Sequence, residues 1–186
     1  MFSDHLATAA YPGGMFRIII RRPIFAFAIA AAGAAALPGT AFAAPDYAQV
    51  TGNDQGRCAN GRGPAVKVAI DGLKSAQGNL FVRVYRASDR DWLKSKRYLW
   101  RVDTRPRAGS MTVCVPIPSA GRYAIAVQHD INGNREVDFS TDGVGMSNNP
   151  TVGSFLGIPR PPAVAKTAFT AGSGVTPVRI TVRYRD

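Results

Sequence analysis

Asp130, Asn132, Asn134, Glu136 and Asp138 stand at alternate positions in the run DINGNREVD, and here the sequence most resembles a metal-binding loop. A calcium ion takes about six to eight oxygen ligands. A loop with side-chain oxygens at its first, third, fifth and ninth positions and a backbone carbonyl at its seventh can wrap one. Asp130, Asn132 and Asn134 fall at the first, third and fifth positions, Glu136 at the seventh and Asp138 at the ninth. Calcium is therefore the cofactor this spacing suggests. Arg135 takes the sixth position, where an EF-hand turns on glycine, and Thr141 takes the twelfth in place of a bidentate glutamate, with Asp142 one residue further on. The same residues also read as an Asx-turn loop whose side chains cap their own backbone and hold no ion.

Hydrolytic chemistry needs a nucleophile, a base and a group that orients the base. His129 is the one imidazole beyond residue 43. Ser147 and Asp142 complete the set that the same stretch offers, with Asn148 beside them. Neighbouring strand positions point to opposite faces, so His129 and Asp130 cannot simply pair. Ser147 lies in GMSNN rather than in the Gly-x-Ser-x-Gly elbow of α/β-hydrolases. Asp138 and Asp142 form an acid pair of a kind common on surface loops. A noncatalytic binding or envelope-associated module is the first expectation, and a hydrolase-type enzyme sited on the His129–Pro162 loop is the alternative.

Charge supplies a third candidate. The 186 residues carry 23 Lys and Arg against 12 Asp and Glu, a formal net charge of +11. Nine of the basic residues lie between Arg83 and Arg107, with Tyr85, Trp92, Tyr98 and Trp100 interleaved. Arg83, Arg86, Arg97 and Arg101 are the candidate patch. Its expected partner is an anionic envelope component or polysaccharide. Outward arginines can also serve only to keep strand edges solvated.

Export makes nucleic acid an unexpected partner, and the first 43 residues carry the export argument. Arg17, Arg21 and Arg22 precede the apolar run Ile24 to Leu37, which ends at Pro38-Gly39 before Ala41, Phe42 and Ala43. A basic region, a short apolar run and an Ala-x-Ala site are the parts of a secretory signal peptide. Cleavage after Ala43 is expected, with translation starting at Met1 or Met15. It would leave 143 residues with 20 basic and 11 acidic side chains, a net charge of +9. A periplasmic or secreted monomer that does not span the membrane is expected.

The elements that must position these groups are strands. Residues 44–63, rich in Gly, Asn, Asp and Gln, read as a flexible segment tied down only by Cys58. In an oxidising compartment Cys58 most simply pairs with Cys114. Closing that span of 114 − 58 = 56 residues is worth up to about 4 kcal/mol by chain entropy. From residue 64 to 186 the chain alternates in period two, with strands expected at 66–70, 80–86, 98–102, 111–115, 122–128, 163–169 and 175–184. Pro106 and nearby charges place the third at a sheet edge. Seven short strands read as an all-β sandwich, with Tyr123 in a tyrosine corner whose hydroxyl bonds upstream backbone. The stretch His129 to Pro162 breaks the spacing and reads as one long ordered loop, pinned by apolar residues such as Phe139 and Met146.

The runs AVKVAIDGLKSAQGNLFVRVY, GRYAIAVQHDINGNREVD, GVGMSNNP and VAKTAFTAGSGVTPVRITVRYR together resemble a family of small exported bacterial proteins, domain of unknown function 2141. The resemblance covers about Cys58 to Arg185. It implies a secreted or periplasmic β-sandwich, immunoglobulin-like or prealbumin-like, with no established activity. In the family this chain resembles, the loop usually reads Asn-Gly-Asn-Gly, so Arg135 departs at the turn glycine.

Overall fold

The computed structural model describes residues 46–60, 62–155 and 158–185. The expected leader and its cleavage site lie outside the described residues. No described helix is long and apolar enough to cross a membrane. The strands are β1 (Gln49–Gly52), β2 (Ala65–Leu73), β3 (Asn79–Arg86), β4 (Trp100–Thr104), β5 (Gly109–Pro116), β6 (Gly121–Asp130), β7 (Gly143–Met146), β8 (Gly153–Phe155), β9 (Ile158–Arg160), β10 (Phe169–Ala171) and β11 (Val175–Thr181). A 3-10 turn at Gln55–Cys58 and a one-turn helix α1 at Val164–Thr167 are the described helical pieces.

The fold is all-β and sandwich-like. A larger sheet runs β1-β4-β3-β6-β10, with β7 also paired to β6; a smaller one runs β11-β2-β5; β8 and β9 form a separate hairpin. Both main sheets are mixed, because β1 lies parallel to β4 and β11 parallel to β2. The period-two pattern places one face of each sheet inward. Val66, Val68 and Ile70 of β2, Val113 and Val115 of β5 and Ile180 of β11 meet Leu80, Val82 and Val84 of β3, Val102 of β4 and Ile125 and Val127 of β6 in one buried cluster. Each inward residue removed from water contributes about 1.5–3 kcal/mol, which makes this interface the main source of stability.

Three sequence expectations change. The two main sheets hold nine strands rather than seven, because β1 and β7 come from stretches expected to be irregular. The strand expected at 163–169 is α1 followed by β10, since Val164 N-terminal to Thr167 closes a helical turn through Ala168 N–H to Val164 O at 2.9 Å. The expected edge strand is not an edge: β1 covers β4, with Gln49 opposite Trp100.

The described residues of the segment expected to be flexible at 44–63 are held at more points than Cys58. The Cys58–Cys114 disulfide joins the 3-10 turn to β5, with its Cα atoms 5.8 Å apart. Asn53 brackets the same edge of β5, accepting from Cys114 N at 3.0 Å and donating to Thr112 O at 3.0 Å. Tyr123 forms the expected corner, its hydroxyl donating to Ser119 O at 2.8 Å. Strand β7 crosses so close to β11 that a Cβ on Gly145 would lie 2.7 Å from Ile180 Cγ2 and 2.9 Å from Thr181 O, so no larger residue fits there.

Candidate functional site

The DINGNREVD loop closes on itself. Asp130 is fully buried at the end of β6, and its carboxylate accepts from Gly133 N (2.9 Å), Arg135 N (3.1 Å) and Asn79 Nδ2 (3.2 Å). Asn132 Oδ1 accepts from Asn134 N at 3.1 Å and Asn134 Oδ1 from Glu136 N at 2.9 Å. Both amide groups then donate to Asp138 Oδ2, at 2.8 and 2.7 Å. These bonds, from Asn132 first and Asn134 second, hold the Asp138 carboxyl below the usual carboxylate range. The carbonyl of Glu136 accepts from Gln128 Nε2. As arranged, this donor set does not fit calcium: N–H groups, not lone pairs, converge on Asp138, and the oxygens of Asn132 and Asn134 are turned to backbone. Among the described residues no group of three or more His, Cys, Asp or Glu side chains is placed to hold a metal ion.

The hydrolase candidates do not assemble into a triad: Asp142 precedes Gly143, the strand partner of His129, but Ser147 lies elsewhere. His129 is buried, with Nδ1 2.5 Å from Tyr184 Oη and Nε2 3.0 Å from Gln77 O. Lys74 N–H donates to the same Tyr184 oxygen at 3.1 Å, so one imidazole and one phenol tie β6, the β2–β3 turn and the C-terminal segment together. Burial raises the Tyr184 pKa above the usual phenol value. Ser147 Oγ accepts from Ile125 N at 2.9 Å and donates to Thr167 O at 2.5 Å. It therefore sits opposite a residue four positions along β6 from His129, roughly 13 Å away at the strand rise. Asp142 accepts from Ile131 N at 3.2 Å and from Asp138 N at 3.2 Å, and Asn148 Nδ2 donates to Ala168 O at 2.9 Å. Each of these side chains is a clip between segments.

The candidate arginines divide. Arg97 pairs with Asp91, Nη2 to Oδ1 at 2.5 Å, and its guanidinium stacks 3.9 Å from the Tyr47 ring centre. Arg86 is exposed at the end of β3. Arg83 and Arg101, by contrast, are cross-strand partners on the outward face of the larger sheet. Arg135 joins them from the loop, and the three guanidinium carbons lie 5.3, 5.3 and 5.5 Å from the ring centre of Phe81. Like charges directly opposite on a sheet are destabilising. Asp103 offsets part of this, at 2.6 Å from Arg101 Nε and 3.7 Å from Arg135 Nη1. Among the described residues no carboxylate pairs with Arg83, whose hydrogen bond runs from Nη1 to Gln128 Oε1 at 3.0 Å. Burial lowers the Arg83 pKa from its ordinary value, with Arg101 pushing the same way against the opposing pull of Tyr85.

The loop explains how Arg83 is aimed. Gln128 is buried on β6 and gives its amide N–H groups to Glu136 O and to Asp142 Oδ2, the latter at 3.3 Å. Its carbonyl oxygen is left facing Arg83. Arg135 is carried in by the turn itself, with φ of 68°, a left-handed conformation in which any residue but glycine is strained. Sequence reasoning treated Arg135 as a departure from a metal loop and did not single out Gln128 or Phe81. The signal was there in parity: Phe81, Arg83 and Gln128 all occupy outward positions of their strands.

Arg83, Arg101, Arg135 and Gln128 line a cleft of about 520 Å³ between the outward face of the larger sheet, the turn at 93–98 and the loop at 135–139. Five lining residues are cationic, Arg83, Arg101, Arg135, Lys94 and Lys96, against the single acid Glu136. A smaller hollow of about 350 Å³ adjoins it across β7, sharing Phe139, Val144 and Met146.

Residues 68–179, more than half of the chain and all of the strands that build the cleft, match the model of a family described as uncharacterized protein conserved in bacteria (DUF2141). No curated protein and no solved structure matches the chain.

Proposed function

Because the chain belongs to this family of uncharacterized bacterial proteins (DUF2141), whose description names no activity, we propose its function from the site: an exported, noncatalytic module that binds an anionic ligand in the Arg83 cleft. The observation that carries the reading is Arg83 itself. A guanidinium drawn out of water beside two others, with no carboxylate of its own, is costly in the free protein. An oxyanion would relieve that cost and accept two parallel N–H bonds from the fork. An anionic component of the cell envelope or an acidic saccharide is the natural source of such a ligand after export. The leader-like segment at 1–43 supports export and the separation of Ser147 from His129 supports a noncatalytic role. Calcium has no part in the reading. The DINGNREVD loop serves instead as the bracket that holds Gln128 and Arg135 in place.

The test is thermal melting of the full chain in inorganic phosphate at fixed ionic strength, beside the Arg83→Gln variant. A ligand that binds only the native state raises the melting temperature by mass action. The wild type should gain stability with phosphate beyond the gain seen in the variant. Equal gains in both proteins would reject the cleft as an anion site.

A further inference from the structure

The cleft is polar at one side and apolar at the other, and the strand register says how. Arg101 of β4 is opposite Arg83 of β3, Arg83 opposite Ala126 of β6, and Ala126 opposite Met146 of β7. One row of outward side chains thus runs from two guanidiniums, over an alanine that fills little space, to a thioether. The adjacent row is mixed, Asp103, Phe81, Gln128 and Val144, and only Gln128 and Val144 of it line the cleft. Of the four large apolar side chains most exposed among the described residues, Val137, Phe139 and Val152 stand on the rim of this same cleft; the fourth is Val50. Single exposed apolar residues are ordinary, whereas three gathered around one concave wall mark a surface built to be covered.

Resting on the anion-binding reading above, we infer that the occupant is a small free amphiphile with a carboxylate or phosphate head on Arg83 and an alkyl or aryl body of roughly 10 Å, two strand spacings, laid over Ala126 toward Met146. A cavity of about 520 Å³ is the size of small-molecule sites and far smaller than a polymer track. A polyanion would need charge along the whole groove. Within the cleft itself the β7 residues Val144, Gly145 and Met146 carry no charge, and the next arginines, Arg183 and Arg185, line the separate smaller hollow beyond β7. A neutral apolar molecule would leave the half-buried guanidinium without a carboxylate or other anion beside it. The charge gradient along one row of the sheet fits a molecule that carries the opposite gradient.

The experiment is isothermal titration of the full chain with decanoate below its micelle concentration, with decanol and with inorganic phosphate. Decanoate should bind about tenfold or more tighter than either of the others. Arg83→Gln should weaken decanoate about 10- to 100-fold. Phe139→Ser, at an exposed rim position that cannot unfold the core, should weaken decanoate while leaving phosphate binding unchanged. Phosphate binding as tightly as decanoate would overturn the amphiphile and leave the anion site standing. Binding of neither would overturn both. Sedimentation with phosphatidylglycerol vesicles without any binding of free decanoate would also overturn the inference, assigning the surface to a membrane instead.

Discussion

The two faces of the larger sheet along β3 and β6 are made from alternate residues of the same strands and differ in almost every physical respect. On the inner face Leu80, Val82, Val84, Ile125 and Val127 meet the smaller sheet in a fully buried apolar layer. On the outer face the intervening residues Phe81, Arg83, Tyr85, Ala126 and Gln128 divide into two zones. One is packed: Tyr85, Trp92, Ala124, Ala126 and Val164 form a second apolar cluster that meets the cleft at Tyr85 and Ala126, and Trp92 Nε1 donates to Pro162 O at 3.0 Å. The other is the cleft, where charge is concentrated without matching countercharge. The difference teaches where this molecule has interactions left to make. Its core and its clips are saturated, and the Arg83 side of the outer face is not.

Substitutions on the two faces should therefore separate stability from binding. Ile125→Ala, on the inner face, should cost about 2–5 kcal/mol in chemical denaturation. Arg83→Gln, one position of register away on the outer face, should stay within about 1 kcal/mol of wild type, because the lost hydrogen bond is offset by relief of the Arg101 opposition. A large loss of stability at Arg83 would erase the contrast. Arg135→Gly should sharpen it, gaining about 0.5–1 kcal/mol by removing a left-handed strain while weakening anion binding. If that variant neither gains stability nor loses affinity, the turn is not holding Arg135 at a cost.

The smallest effect concerns pH and tests whether the packed zone is as dry as its burial indicates. Burial pushes the Tyr85 phenol up to about 12, against its ordinary value of 10.0. The unfolded chain would lose this proton first, so the stability Tyr85 contributes is intact below about pH 10 and is lost as pH rises toward about 12. Urea midpoints measured up that range should fall more steeply for wild type than for Tyr85→Phe. Parallel slopes would show the ring to be solvated.

Much of this architecture was legible in the sequence because alternation is a local property. Val66, Val68 and Ile70 declare an inward face whatever they pair with, and Gly121-x-Tyr123 and the two cysteines were equally readable. The site was harder because it depends on pairing between distant segments. Arg83 and Arg101 share a face by parity, yet only the β3–β4 register makes them opposite. The parallel pairing of β1 with β4 joins residues about fifty apart and has no turn to announce it. The alternating Asp and Asn residues were visible as a constellation, but their meaning depends on which way each amide points. Here the amides point at Asp138 and the backbone, and the loop's output is the placement of Gln128 and Arg135.

The central claim is that the unpaired Arg83 marks the ligand site. It is tested most directly by following backbone amide and arginine Nε–Hε resonances of the ¹⁵N-labelled full chain during titration with inorganic phosphate. The account predicts saturable shifts at Arg83, Arg101, Arg135 and Gln128, with Arg86 and Arg97 unmoved. Shifts spread evenly over all the arginines, or confined to Asn132 and Asn134 while Arg83 stays silent, would contradict it.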